Sequence, residues 1–257
     1  LNDLTNPGKK LVLLGVTAVA VLLLTTAKPQ IEAADGSPIQ AGEKLSYRIS
    51  WSNVLEAGIA ELSVTPSSKV PHALKFELKA STSAALAPTY PFTDEFVSHF
   101  DTVLSAPALY EKSFTEKKRV VREQVNFNQL LRLATFTNSK NQSKRVPIEV
   151  GTQDPVSALY VLRSLGLTPG VQLAFPVLDG GTLYFLDASV AGTELMTTKL
   201  GSFKSSRVEV SIRRDGRVLE DKKITVWLTT DSRRLPVLAS VALPVGAAVI
   251  ELISQTP

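Results

Sequence analysis

One stretch of this chain breaks a pattern that the rest of it keeps. From Leu45 onward, apolar residues recur mostly at every second position, the period of a strand with one face buried. Between Gly151 and Leu165 the spacing becomes helical: Ala158, Leu159, Leu162 and Leu165 fall three and four residues apart, and Val156, Tyr160 and Val161 widen the stripe. Asp154 is placed to cap the first turn, and Pro155 stands at the first helical position, where a missing N–H is harmless. Gly166 and Pro169 stop the helix. The spacing therefore predicts one helix at about 154–165. A helix of about three turns does not persist alone in water, so it must pack on a sheet, with Tyr160 as a core residue.

That sheet is written on both sides of the helix. Leu45, Tyr47, Ile49 and Trp51 alternate with polar residues, as do Ala60, Leu62 and Val64, then Leu74, Phe76, Leu78 and Ala80. Pro88 and Pro91 mark a crossing loop, and Asp179-Gly180-Gly181, Ala191-Gly192 and Asp215-Gly216 are turn signals. The pattern predicts roughly twelve strands in a curved antiparallel meander, forming a partly closed barrel or a sandwich. No composition shift divides residues 34–257, so they read as a single β-rich domain.

The first 33 residues read as a signal peptide or N-terminal anchor. Lys9 and Lys10 precede an apolar run, Leu11 to Leu24, that is shorter than the roughly 20 residues of a permanent span. A permanent membrane span is thus expected only if this segment stays uncleaved, and the expected location is the periplasm. Removing it takes away three positive and two negative charges, leaving +3 in place of +4. The remaining charges are interspersed, with no basic face carrying aromatics, which argues against a nucleic-acid partner. The chain has no cysteine, which excludes disulfides and a lipid-modified cysteine.

Catalytic chemistry finds little footing. There is no Gly-x-Ser-x-Gly elbow, and the two histidines, His72 and His99, show no metal-ligand spacing. His99 lies near Asp94, Glu95 and Asp101 and reads as a surface histidine among solvated acids. Glu56, Glu61, Asp179, Asp187 and Glu194 are the acids open to a glycosidase pairing, but each sits in a turn or an alternating strand. No catalytic residue, metal site or cofactor is assigned. The candidate ligand-binding residues are Tyr47, Trp51 and Trp227, which would line an apolar cavity if the sheet curls, and Arg233 and Arg234, whose guanidinium groups would orient a polar head.

Three pieces resemble a known bacterial family, domain of unknown function 3108. They are Gly42-Glu43-Lys44-Leu45-Ser46-Tyr47 running into Ile49-Ser50-Trp51 and Ala57-Gly58, then Asp154-Pro155-Val156-Ser157-Ala158-Leu159-Tyr160, then Trp227-Leu228 with Arg233-Arg234-Leu235-Pro236-Val237 and Leu243-Pro244-Val245-Gly246. The resemblance implies an exported, β-rich envelope protein, and it transfers no catalytic residues. At the level of fold alone, the plan is similar to periplasmic lipoprotein carriers, where a curved sheet wraps a hydrophobic cavity. Two functions follow as expectations: a non-catalytic module for a hydrophobic or lipid-like ligand, or an envelope structural or assembly factor that binds another protein. A metal-free hydrolase is the weakest reading.

Overall fold

A computed structural model describes residues 38–51, 55–89, 91–116, 119–164, 166–219, 223–242 and 246–256. The leader-like segment, Leu165 and residues 243–245 of the third resembling piece lie outside the described residues.

The chain is two antiparallel meanders joined by a helix. The first arm is β1 (Lys44–Trp51), β2 (Leu55–Pro66), β3 (Ala73–Thr82), β4 (Phe92–Asp101), β5 (Ala106–Glu116), β6 (Arg119–Asn128), β7 (Leu133–Thr137) and β8 (Ser143–Pro147). Helix α1 (Pro155–Ser164) follows. The second arm is β9 (Gln172–Asp179), β10 (Thr182–Thr198), β11 (Gly201–Arg214), β12 (Arg217–Val218), β13 (Ile224–Thr229), β14 (Pro236–Ala242) and β15 (Ala247–Thr256). All belong to one sheet, in the order β8 to β1, then β15, β14, β13, β11, β10 and β9, with β12 beside β11. The first and last strands therefore pair at its centre, from Lys44 opposite Thr256 to Trp51 opposite Ala248.

The sheet is curved and not closed, as a partly closed barrel requires. Its two edges, β8 and β9, are brought near each other without a shared ladder. The β9–β10 turn instead touches the opposite arm: Lys144 Nζ donates to the Gly181 carbonyl at 3.2 Å, and Lys112 lies 3.5 Å from Asp179. The segment leading into α1 covers part of the β9 edge. Gln153 N–H donates to Pro176 O and Leu178 N–H to Gln153 O, both at 2.9 Å.

The described residues form fifteen strands where alternation alone predicts roughly twelve. β8 and β12 are short and largely exposed, so they carry no alternation to read. Gly192 is not a turn: β10 runs straight through it, and the register slips there as a bulge.

Alternation sets the inner face. Leu45, Tyr47, Leu62, Val64, Phe76, Phe96, Phe100, Val208, Val226 and Leu252 point inward and are buried. Helix α1 fills the concavity, and every residue from Pro155 to Arg163 is buried. The Tyr160 ring stacks on Phe76 at 4.0 Å, and Phe76 packs on Phe100. A three-turn helix that is wetted on no side is held by the sheet around it, as its marginal length demands.

Candidate functional site

The three family-like pieces, far apart in sequence, meet around one side chain. Arg163, on the last turn of α1, is 0% exposed. Its Nη1 and Nη2 donate to both carboxylate oxygens of Glu43 at 2.7 and 2.6 Å, a bidentate pair linking α1 to the start of β1. Nη2 also donates to Pro38 O at 2.9 Å and Arg233 O at 3.2 Å, and Nε donates to Arg234 O at 3.2 Å. Arg234 returns a bond from Nη1 to the Arg163 carbonyl at 3.2 Å. Burial opposes the charged guanidinium, but hydrogen bonding and attraction from Glu43 outweigh it and leave its pKa raised. Every polar arm of the guanidinium is bonded inside the protein. The chemistry is that of a clasp: it ties the entry strand, the helix and the β13–β14 turn together and leaves no face for a substrate.

At its other end α1 is capped by Asp154, as the sequence predicts. Oδ1 accepts from the Val156 and Ser157 amides at 2.8 and 2.9 Å, and Ser157 Oγ accepts the Asp154 amide at 3.0 Å, a reciprocal box. Oδ2 accepts from Ser98 Oγ at 2.5 Å. The carboxyl is fully buried, and this desolvation pushes its pKa up to about 6 despite these bonds.

The five candidate binding residues do not converge. Tyr47 faces inward, beside an apolar slot of about 40 Å³ that also touches Leu62, Leu78, Leu159, Val226 and Ile250. Its hydroxyl has no hydrogen-bond partner among the described residues, and burial raises its pKa. Trp51 ends β1 half-buried and is not part of the slot. Trp227 lies on the outer face, where its Nε1 donates to Glu194 at 2.6 Å. Arg233 is bonded to Asp231 at 2.7 and 3.1 Å and to Gln255 at 3.2 Å. The turn of Arg233 and Arg234 thus serves the clasp through its carbonyls, a role that guanidinium-centred reasoning overlooks.

His99 corrects the sequence reading, since it is buried rather than a surface residue. Its Nδ1 lies 2.8 Å from Ser67 Oγ and its Nε2 lies 3.3 Å from Glu111, which Lys69 also contacts at 2.5 Å. Serine, histidine and carboxylate in a row have the composition of a hydrolytic triad. The hydroxyl argues otherwise: Ser67 Oγ already accepts the amides of Lys69 and Val70 at 3.1 and 3.0 Å, so it caps a turn and presents no free lone pair for attack. Burial lowers the His99 pKa; because the Glu111 carboxylate can only accept, the neutral ring donates to it from Nε2, which leaves Nδ1 to accept a hydrogen bond from Ser67 Oγ. Of the candidate acids, Glu61 pairs with Lys44, Asp179 with Lys112, Asp187 with Arg213, and Glu194 with Arg207 and Trp227. Each is held by a separate cation, and of the four only Asp187 and Glu194 share a strand, β10. Among the described residues no three His, Cys, Asp or Glu side chains gather as a metal site.

A similar fold occurs in a solved structure. The barrel-like DUF1849 protein of Brucella abortus superposes with a TM-score of 0.57 at 11% identity, over 83% of this chain and 96% of that one. A Bacteroides fragilis protein with a YmcC-like fold overlaps too loosely to bear on the fold: TM-score 0.38, 10% identity, 86% of this chain and 98% of that one. A search of curated proteins finds no match. A family model extends from residue 46 to residue 253, from within β1 through the clasp helix to within β15. The chain belongs to the family of proteins of unknown function DUF3108.

Proposed function

We propose that this chain is a non-catalytic binding module of the bacterial envelope that works through its exterior, closer to the assembly-factor expectation than to a carrier. The small free volume beside α1, among the described residues, carries this reading. Helix α1 occupies the space that a carrier would leave empty, and the slot beside Leu159 is about 40 Å³, whereas small-molecule pockets measure roughly 300–1,000 Å³. The envelope assignment draws on the leader-like N-terminus and on the family resemblance. Native mass spectrometry and solvent extraction of the full-length protein, purified from bacterial cells, test it. The expected result is the mass of the protein alone. A stoichiometric lipid that survives purification would overturn this reading and restore the carrier.

A second reading rests on the lining of the slot. Tyr47, Leu62, Leu78 and Leu159 present only their apolar surface to it, so a shift of α1 would open greasy space. The same extraction decides between the two.

A further inference from the structure

Two turns at one end of the sheet are built alike. Residues 102–105 join β4 to β5, and residues 129–132 join β6 to β7. Each follows an Asp or Asn whose side chain caps the turn. Asp101 Oδ1 accepts the amides of Val103 and Leu104 at 2.8 and 3.0 Å, and Asn128 Oδ1 accepts that of Leu131 at 2.9 Å. Each ends in a left-handed residue, Ser105 at φ 53° and Arg132 at φ 52°. At its second and third positions each holds two aliphatic side chains out to solvent: Val103 is 82% and Leu104 47% exposed, Leu130 81% and Leu131 73%.

The turns are locked to each other and to the link before α1. Gln129 Nε2 donates to Pro107 O at 3.3 Å and Thr152 O at 2.9 Å, its Oε1 accepts the Gly151 amide at 3.1 Å, and Gln153 Nε2 donates to Ser105 O at 3.2 Å. Val150, 54% exposed, stands in that link.

We infer that this rim docks on a lipid bilayer, with the aliphatic tips entering its surface. The inference rests on the reading that the exterior is the working face. Three observations favour lipid over protein. The apolar groups are separate aliphatic knuckles on convex turns, without the aromatic anchors that centre a protein interface. Amides that would be stranded in an apolar phase are already bonded by Asp101 and Asn128. The chain also enters the fold from this end: Lys44 lies opposite Ser63, and Ala73 opposite Asp101. The apolar run Leu11–Leu24 precedes that entry in sequence.

Segments 102–105, 129–132 and 148–151 carry one charge of each sign, Arg132 and Glu149. Binding should therefore occur on zwitterionic vesicles and survive high salt.

The chain has no cysteine, so single labels are unambiguous. A polarity-sensitive fluorophore would be placed on full-length Leu130→Cys and, at the opposite end of the sheet, on Lys140→Cys. With phosphatidylcholine vesicles containing spin-labelled lipid, quenching is expected at position 130 and not at 140. Val103→Ser with Leu104→Ser should weaken the quenching response at position 130 by at least about tenfold. Absence of quenching at 130, or equal quenching at both positions, would overturn the proposal, as would cross-linking of position 130 to a protein partner with no lipid signal. A lipid extracted from inside the sheet would sink the exterior-face reading while leaving the quenching result intact, so the two failures are distinguishable.

Discussion

Arg163 and Asp154 hold the two ends of one helix by opposite means, and each makes a separate prediction. Arg163→Met leaves Glu43 buried without its partner, so the variant should lose about 3–5 kcal/mol in urea unfolding. Adding Glu43→Gln should recover part of that loss, which a double-mutant cycle would measure. Asp154 behaves as a buried acid whose folded pKa of about 6 exceeds its ordinary value near 3.8. The folded state holds this proton more tightly than the unfolded chain does. Its contribution is therefore fully present below about 3.8 and disappears as pH rises through about 6, worth about 3 kcal/mol. Asp154→Asn keeps the capping oxygen without the charge, so it should be more stable than the parent at pH 7.5 and lose this pH dependence. Urea midpoints at several pH values would show either outcome. Asp154 was legible because a cap lies next to the helix it starts. Arg163 was not: an arginine in a last helical turn reads as a partner of the helix dipole, and its carboxylate lies 120 positions earlier.

Legibility at the scale of elements followed the faces that strands present. Strands with one wet and one dry face, such as β1 and β4, announce themselves by alternation. β8, exposed at four of its five residues, does not, and a glycine inside β10 imitates a turn where it makes a bulge. The β9–β10 turn was predicted correctly from its glycines, but its contact with the other arm was invisible. Gly181 adopts φ 70°, and a Cβ there would sit 2.9 Å from the Phe136 ring. Gly181→Ala should destabilise the protein by about 1–3 kcal/mol through strain and collision together. Chemical denaturation with m-values would measure it, and an unchanged midpoint would mean that this contact is loose.

Over the whole molecule, the sequence conveyed a mainly β fold with one packed helix, but not how much of the concavity that helix would occupy. Counting apolar positions shows that a core exists, whereas its free volume depends on how tightly the sheet curls around α1. The candidate binding residues scattered for the same reason: alternation places side chains on faces, and only curvature decides which faces meet. Because β15 joins both arms through β1 and β14, deleting residues 247–257 should abolish cooperative thermal unfolding rather than merely lower its midpoint. Circular dichroism on the truncated chain would test this.

The pairing of β1 with β15 also sets a timetable. β1 is synthesised long before its partner β15, and until then the backbone donors and acceptors along that edge face whatever else is present. The native sheet can therefore be completed only once β15 has left the ribosome and, in an exported chain, has been delivered. A chain arrested before β15 would expose a sticky edge for as long as the pause lasts.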